Sequence, residues 1–251
     1  MVPCEDAQVE RHGQYCPVSF AADVLGDRWT LLIVRELIGG STRFNEIERC
    51  LPRVSRSLLS QRLRHLERVG LVETFPLENG RGNSYHLTAA GKELEPVLFA
   101  MGEWAVRWII GEPRPEELDP AFIMWWMHRR VNFDELPPGR TVVRFDILDK
   151  TRIVTWIVLE SGESSICPTD PGFPPSVSVT AESLQLHRVF SGRITLAEAL
   201  RDETIVLDGP RPLVQRFPRW FLWSPFYEVT QAHLSKGDVA LGRPIEGAVS
   251  S

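Results

Sequence analysis

The chain has no apolar run approaching the roughly 18 residues of a membrane span, and no charged-then-apolar leader opens it. A cytoplasmic protein with no membrane partner is therefore expected. Cysteine is scarce: Cys4, Cys16, Cys50 and Cys167 are scattered, with no Cys-x-x-Cys pair. That excludes the usual zinc spacings, and a chain of 251 residues needs no disulfide staples. His128, His187 and His233 lie too far apart to suggest a metal site. Gly-x-Ser-x-Gly, P-loop and Gly-x-Gly-x-x-Gly motifs are all missing, and Asp146, Asp149, Asp170, Asp202 and Asp208 are dispersed. Neither an enzyme nor a cofactor or metal is expected. Internal repeats and low-complexity segments are absent as well.

Net basic charge is also lacking. The formal charge is −5, which taken as an average argues against a nucleic-acid partner. The average hides a division. Between residues 43 and 68 stand seven arginines (43, 49, 53, 56, 62, 64, 68) against Glu46, Glu48 and Glu67, a local charge of +4. Residues 1–110 carry 13 basic and 14 acidic side chains, and residues 111–251 carry 15 and 19, so the acidity sits mainly in the second half. Seven of the eight tryptophans lie beyond residue 100. Between the halves, residues 111–120 hold three prolines and four acids, a composition that reads as a linker. The expected division is residues 1–110, a linker 111–120, a second domain 121–226 and a polar, frayed tail 227–251.

The first half reads as helices over 18–25, 28–38, 43–50 and 56–69. Asp27 and Ser55 serve as N-caps, and Gly26 and Gly70 as stops. Strands over 71–77 and 84–88 flank a Gly- and Asn-rich tip. A long helix then runs from Thr88 to about residue 110, kinked at Pro96. Helix, turn, helix and basic-tipped hairpin make a winged helix-turn-helix. At 100° per residue, Leu58, Leu59, Leu63, Leu66 and Val69 gather on one side of the 56–69 helix. Ser57, Ser60, Gln61, Arg64 and Arg68 gather opposite. Hydroxyl, amide and guanidinium groups suit a helix entering a major groove: Gln61 matches an adenine edge, Arg64 a guanine edge, and the serines bases or phosphates. Arg56 at the helix start belongs to the same reading set. Arg62 projects near the apolar side, as a structural or phosphate-pairing arginine. Arg81 at the hairpin tip is placed to meet phosphate or a minor groove. Leu94, Val97, Leu98, Met101, Trp104 and Trp108 form a near-heptad stripe. The stripe is either a dimer seam, with Val18, Phe20 and Val24, or packing within the chain.

Cys16-Pro17-Val18, Leu25-Gly26-Asp27-Arg28-Trp29-Thr30-Leu31-Leu32-Ile33, Arg43-Phe44-Asn45-Glu46-Ile47, Leu58-Leu59-Ser60-Gln61-Arg62-Leu63-Arg64-His65-Leu66-Glu67, Gly70-Leu71-Val72 and Tyr85-His86-Leu87-Thr88-Ala89-Ala90-Gly91 together resemble the HxlR-type winged-helix regulators. The resemblance runs from about residue 14 to 110. It implies a cytoplasmic bacterial transcription factor that binds an operator in double-stranded DNA as a homodimer, more commonly as a repressor. The wing departs from the family's Pro-Pro-Arg-Val-Glu-Tyr-like sequence, with Arg81-Gly82-Asn83-Ser84-Tyr85 in its place. In some relatives a cysteine at the position of Cys16 senses oxidants; alternatively Cys16 is a half-buried small residue.

The second half reads as an α+β unit. A helix is expected over 122–131, and strands over 141–148, 152–160, 164–167, 176–180 and 204–207. Further helices are expected over 181–190, 196–202 and near 212–221. The 152–160 strand is apolar on nearly both faces. Residues 191–200, 205–209 and 217–221 resemble a sterol-carrier-protein-like domain, a resemblance covering about 140–225. It implies an enclosed tunnel for a small apolar ligand. Trp125, Trp126, Trp156, Phe217, Trp220 and Trp223 are the candidates to line it, unless they are simply core. The expected protein is thus a mainly α winged helix-turn-helix domain joined to an α+β sterol-carrier-like domain, a ligand-responsive homodimeric regulator. Two alternatives stand beside it: a carrier of hydrophobic ligands with a scaffold winged helix, and a redox regulator switched through Cys16.

Overall fold

The computed structural model describes residues 14–77 and 82–235. The chain forms two compact units, Met1–Met101 and Gly102–Ser251. The first holds α1 (Pro17–Leu25), α2 (Thr30–Ile38), α3 (Phe44–Cys50) and α4 (Arg56–Arg68), then the hairpin β1 (Val72–Pro76) and β2 (Asn83–Leu87), then α5 (Ala89–Lys92). The last helix, α6 (Glu95–Trp108), begins in the first unit and ends in the second.

Local chemistry explains most boundaries. Pro17 opens α1, where a missing N–H costs nothing. The Gly26 amide then closes the helix on the Ala22 carbonyl at 2.7 Å, leaving no room for a Cβ. Asp27 does not cap α2 directly. Its carboxylate accepts from Trp29 N at 3.2 Å, and the helix starts at Thr30, after an extra turn. Ser55 caps α4, accepting from Leu58 N at 3.3 Å.

The expected kinked helix over 88–110 is instead two helices. Inside a continuous helix, the Pro96 ring would meet the Lys92 carbonyl and leave it without a donor. The chain therefore stops α5 at Lys92 and restarts at Glu95, which puts Pro96 in the first turn of α6. Thr88 organises the start of α5: its Oγ1 accepts from Gly91 N at 3.1 Å and donates to the Gly70 carbonyl at 2.7 Å. Gly91 is pressed onto the Leu71 carbonyl, which would lie 2.2 Å from an added Cβ.

The second unit contains α7 (Pro120–Arg129) and the strands β3 (Thr141–Leu148), β4 (Arg152–Glu160), β5 (Glu163–Cys167) and β6 (Val177–Ala181). After these come α8 (Ser183–Ser191), α9 (Leu196–Arg201), β7 (Ile205–Asp208), α10 (Arg211–Arg216) and α11 (Tyr227–Ser235). The five strands form one mixed sheet in the order β5-β4-β3-β6-β7. Only β3 and β6 run parallel. Val143, Phe145 and Ile147 of β3 share a core with Ile157, Leu159, Val177 and Val179. The helices supply Ile123, Met127, Leu186 and Val189 to the same core, and Trp220, after α10, joins them.

Several boundaries differ from the sequence reading. β4 buries Thr155, Ile157 and Leu159 while Val154, Trp156 and Val158 are half-buried, so its two largely apolar faces are covered to different degrees. α8 starts at Ser183 because Ala181 still pairs in the sheet. Asp149, in the β3–β4 turn, accepts from Ser183 N at 2.9 Å and from the Ser183 hydroxyl, capping the helix from a distant point in sequence. The expected helix near 212–221 changes to a 3-10 turn over Phe217–Arg219, where Pro218 cannot continue it.

The segment expected as a frayed tail from 227 opens with α11. Buried Thr230 and the Gln231 amide, which donates to the Gly192 carbonyl, hold that helix in place. Residues 236–251 lie outside the described residues. The division between units falls inside α6, ahead of the expected 111–120 linker. The helix beyond it packs with the second unit: a Cβ at Gly102 would lie 2.2 Å from the Phe226 ring. Within the expected linker, Pro115–Glu117 forms a 3-10 turn, and the Glu117 carboxylate accepts from Arg114 N at 3.0 Å.

Gly91→Ala should lower the unfolding free energy by about 1–3 kcal/mol, since the added methyl meets backbone rather than a movable side chain. Chemical denaturation monitored by circular dichroism reads this directly; an unchanged midpoint would remove Gly91 as the reason for that close approach.

Candidate nucleic-acid interface

Leu59, Leu63 and Leu66 of α4 are 0–2% exposed and pack with Ile33, Val34 and Ile47. Burial of each contributes about 2 kcal/mol, so the rotation of the helix is set by these three. The opposite side is then obliged to face outward. Ser57, Gln61, Arg64 and Arg68 are exposed and Ser60 is half-buried. Arg64 Nε donates to the Ser60 carbonyl at 3.3 Å, which fixes the root of the side chain and leaves the residue exposed.

Two arginines of the same helix do other work. Arg62 forms an ion pair with Asp27, both side chains less than a third exposed, and so ties α4 to the turn before α2. Arg56 pairs with Glu48 at 2.5 Å, donates to Asn45 Oδ1 at 3.3 Å and lies over the Phe44 ring at 5.0 Å. The guanidinium read from sequence as a base reader is thus engaged by α3. Nothing in the spacing of Arg56 signals this, because the partners come from the preceding helix. His65 titrates below the ordinary histidine value, through burial first and then the neighbouring Arg68 and Arg62.

The hairpin pairs Val72 with Leu87 through Pro76 with Asn83, and Leu77 N donates to the Gly82 carbonyl at 3.0 Å. Residues 78–81 of the tip, Arg81 among them, lie outside the described residues. The hairpin does not rest on its own two strands alone. Tyr85 N donates to the Thr42 carbonyl at 2.8 Å, and Arg43 forms a β-bridge with Ser84. The segment before α3 therefore acts as a third strand that fastens the wing. Its local sequence signal is faint, Arg43 being read from sequence as the start of a helix. Glu46 Oε2 accepts from Thr42 N at 2.9 Å and Arg43 N at 3.1 Å, which holds those residues extended.

The expected dimer stripe separates into two sets. Leu94 and Leu98 pack against the core of the first unit. Val97, Met101, Trp104 and Trp108 are 45–58% exposed on one side of α6. On α1, Val18 and Phe20 are exposed too, whereas Val24 packs inward.

Of the six expected pocket residues, Trp125, Phe217 and Trp220 are 0–7% exposed. Trp126 and Trp223 pack against the core that contains Phe217 and Trp220. Trp156 pairs in register with Arg144 and Cys167, away from the buried row of β3. None of the six lines the cavity of about 340 Å3 bounded by Val106, Ile110, Glu112, Arg193, Phe226 and Leu234 among others. Cys16 is half-buried at the start of α1 and Cys50 is core, while Cys4 lies outside the described residues. Among the described residues no group of three or more His, Cys, Asp or Glu side chains is placed to hold a metal ion, and no helix is long and apolar enough to cross a membrane.

Residues 24–112 match the family model described as HxlR-like helix-turn-helix. YvaP of Bacillus subtilis, an uncharacterized HTH-type transcriptional regulator, is 40% identical over 112 residues, which are 44% of this chain and 95% of YvaP. A second uncharacterized HTH-type transcriptional regulator, sll1512 of Synechocystis, is 36% identical over 99 residues, covering 39% of this chain and 73% of its own. Among solved structures, the reduced form of the transcriptional regulator YodB from B. subtilis is 36% identical, covers 38% of this chain and 94% of YodB, and superposes with a TM-score of 0.34.

The Asp27–Arg62 pair should be worth about 1 kcal/mol, as expected for a partly exposed ion pair. A thermal-unfolding double-mutant cycle with Asp27→Asn and Arg62→Gln checks it. Strictly additive single effects would mean that the pair does not hold α4.

Proposed function

We propose a homodimeric, ligand-responsive mode of action for this chain, which belongs to the HxlR-like helix-turn-helix family of DNA-binding transcriptional regulators. The observation that carries the reading is the outward row of Ser57, Gln61, Arg64 and Arg68 on a helix whose rotation is fixed by buried leucines. In this reading α4 enters the major groove. Gln61 and Arg64 face base edges, and Ser57, Ser60 and Arg68 face bases or phosphates. Arg56 stays on Glu48 and acts as a brace rather than a reader. Arg81, at the hairpin tip, meets phosphate or the adjoining minor groove.

Two copies would join through the exposed side of α6 (Val97, Met101, Trp104, Trp108), with Val18 and Phe20 of α1. A single winged helix makes few contacts, and pairing on a palindrome compensates for weak half-site affinity. The second unit is read as sterol-carrier-like, supported by its mixed five-stranded sheet packed with helices. It would hold an apolar effector that favours one dimer state over another. Repression is the proposed output, by displacement of polymerase from the operator.

Gel retardation with the protein's own upstream DNA at two salt concentrations tests the DNA reading. Arg64→Ala should cost about 1–3 kcal/mol of affinity. Binding should weaken steeply with salt, since the net charge of −5 leaves the +4 segment as the main attraction. No retardation of any such fragment, with Arg64→Ala indistinguishable from the parent, would favour the carrier reading instead.

Met101→Glu with Trp104→Glu should convert the dimer to a monomer in sedimentation velocity. A parent protein already monomeric at micromolar concentration would overturn the dimer.

A further inference from the structure

The cavity of about 340 Å3 in the second unit has an unusual composition. Its wall is largely apolar, from Val106 and Ile110 to Phe226 and Leu234. At one side sits Arg193, whose side chain is only 10% exposed. Burying a guanidinium is costly unless every donor is met. Here NH2 donates to the Ile110 carbonyl at 3.0 Å and to the Gly111 carbonyl, and NH1 donates to Glu112 Oε1 at 3.2 Å. The position of Arg193 is set by Gly192, which ends α8 in the left-handed region at φ 82°. A Cβ there would also lie 2.7 Å from the Tyr227 carbonyl oxygen.

Glu112 answers two cations at once. Its Oε2 is 3.4 Å from Arg188 Nε, a nitrogen shut off from solvent that makes no hydrogen bond. The cluster of Arg188, Arg193 and Glu112 therefore carries a net positive charge with an unused donor. Its one carboxylate is 60% exposed and so is free to swing outward. An anion with a non-polar body meets both halves of this site: its charge satisfies the two arginines, and its body covers the apolar wall.

We propose that this cavity binds a small monocarboxylate with an apolar body, the ligand's carboxylate taking the place of Glu112 on Arg193 and Arg188. The volume suits about 11 water-sized groups, at the roughly 30 Å3 of a water in the liquid. Val106 belongs to α6, and Ile110, Gly111 and Glu112 follow it directly, so an occupant touches the end of the helix that carries Met101 and Trp104. The inference rests on the ligand-responsive reading above and gives that ligand a place and a chemical class.

Isothermal titration calorimetry of the full chain with octanoate, and with 1-octanol as its uncharged match, tests the site. Octanoate should bind at one per chain and at least about tenfold tighter than octanol, the scale of one charge-assisted hydrogen bond. Glu112→Gln should tighten octanoate by about tenfold, because the competing carboxylate is gone, and leave octanol unchanged. Arg193→Gln should abolish the preference for octanoate. Leu234→Trp, at a partly exposed position, should close the cavity to both probes without touching the arginines. Equal binding of the two probes, no heat with octanoate, or weaker octanoate binding to Glu112→Gln would each overturn the proposal. Gel retardation of the upstream DNA by the same samples separates the two readings. Octanoate binding with retardation unchanged supports the site and sinks ligand-responsive regulation. Intact DNA retardation with no octanoate binding sinks the site alone.

Discussion

Burial of Leu59, Leu63 and Leu66 beneath α4 is the constraint on which the rest of the first unit depends. At 3.6 residues per turn, a helix has no freedom left once three leucines on one side are fully buried. The residues between them are assigned by arithmetic: Ser57, Gln61, Arg64 and Arg68 outward, Arg62 to the flank. The polar contacts refine this placement without creating it. The Arg62–Asp27 pair is worth a fraction of what the leucines contribute, but it acts at the flank, where leucines cannot. The Arg56–Glu48 pair does the same at the N-terminal turn, where α4 leaves the core.

The wing is fastened by the same economy of backbone groups. A two-stranded hairpin is marginal on its own in water. The Thr42–Arg43 segment supplies the missing third partner, and the Glu46 carboxylate holds that segment extended by accepting both of its amides. Gly91 and Thr88 close the far end, one by allowing a helix backbone against the Leu71 carbonyl, the other by bonding both Gly91 and Gly70. The run from Tyr85 to Gly91 therefore has a packing explanation that stands apart from any resemblance.

α6 carries several roles because its faces differ. Pro96 confines the helix start to Glu95, Leu94 and Leu98 pack inward, and Val97, Met101, Trp104 and Trp108 stay exposed. Gly102 admits the Phe226 ring, and the residues after Trp108 end on Arg193. The same helix thus combines an exposed apolar side with an end whose following residues line the cavity beside Arg193.

The sequence by itself determined the elements whose signals are local. Ser55, Gly26 and the leucine period mark α4 and α1, runs of apolar and β-branched residues mark β3 and β4, and the +4 segment survives inside an acidic total. It also determined which side of α4 faces outward, since a helical period needs no partner to be read. Only the tertiary structure decided what depends on residues far apart in the chain. Arg56 stands beside Glu48 and Phe44 of the preceding helix, partners that its own position in sequence does not signal. Asp149 caps a helix that begins more than thirty residues later. The aromatic residues of the second unit carry no sequence mark that separates core from cavity, because both need the same apolar side chains. Packing buries Trp125, Phe217 and Trp220 and forms a cavity beside Arg193, where a glycine in the left-handed region turns the chain.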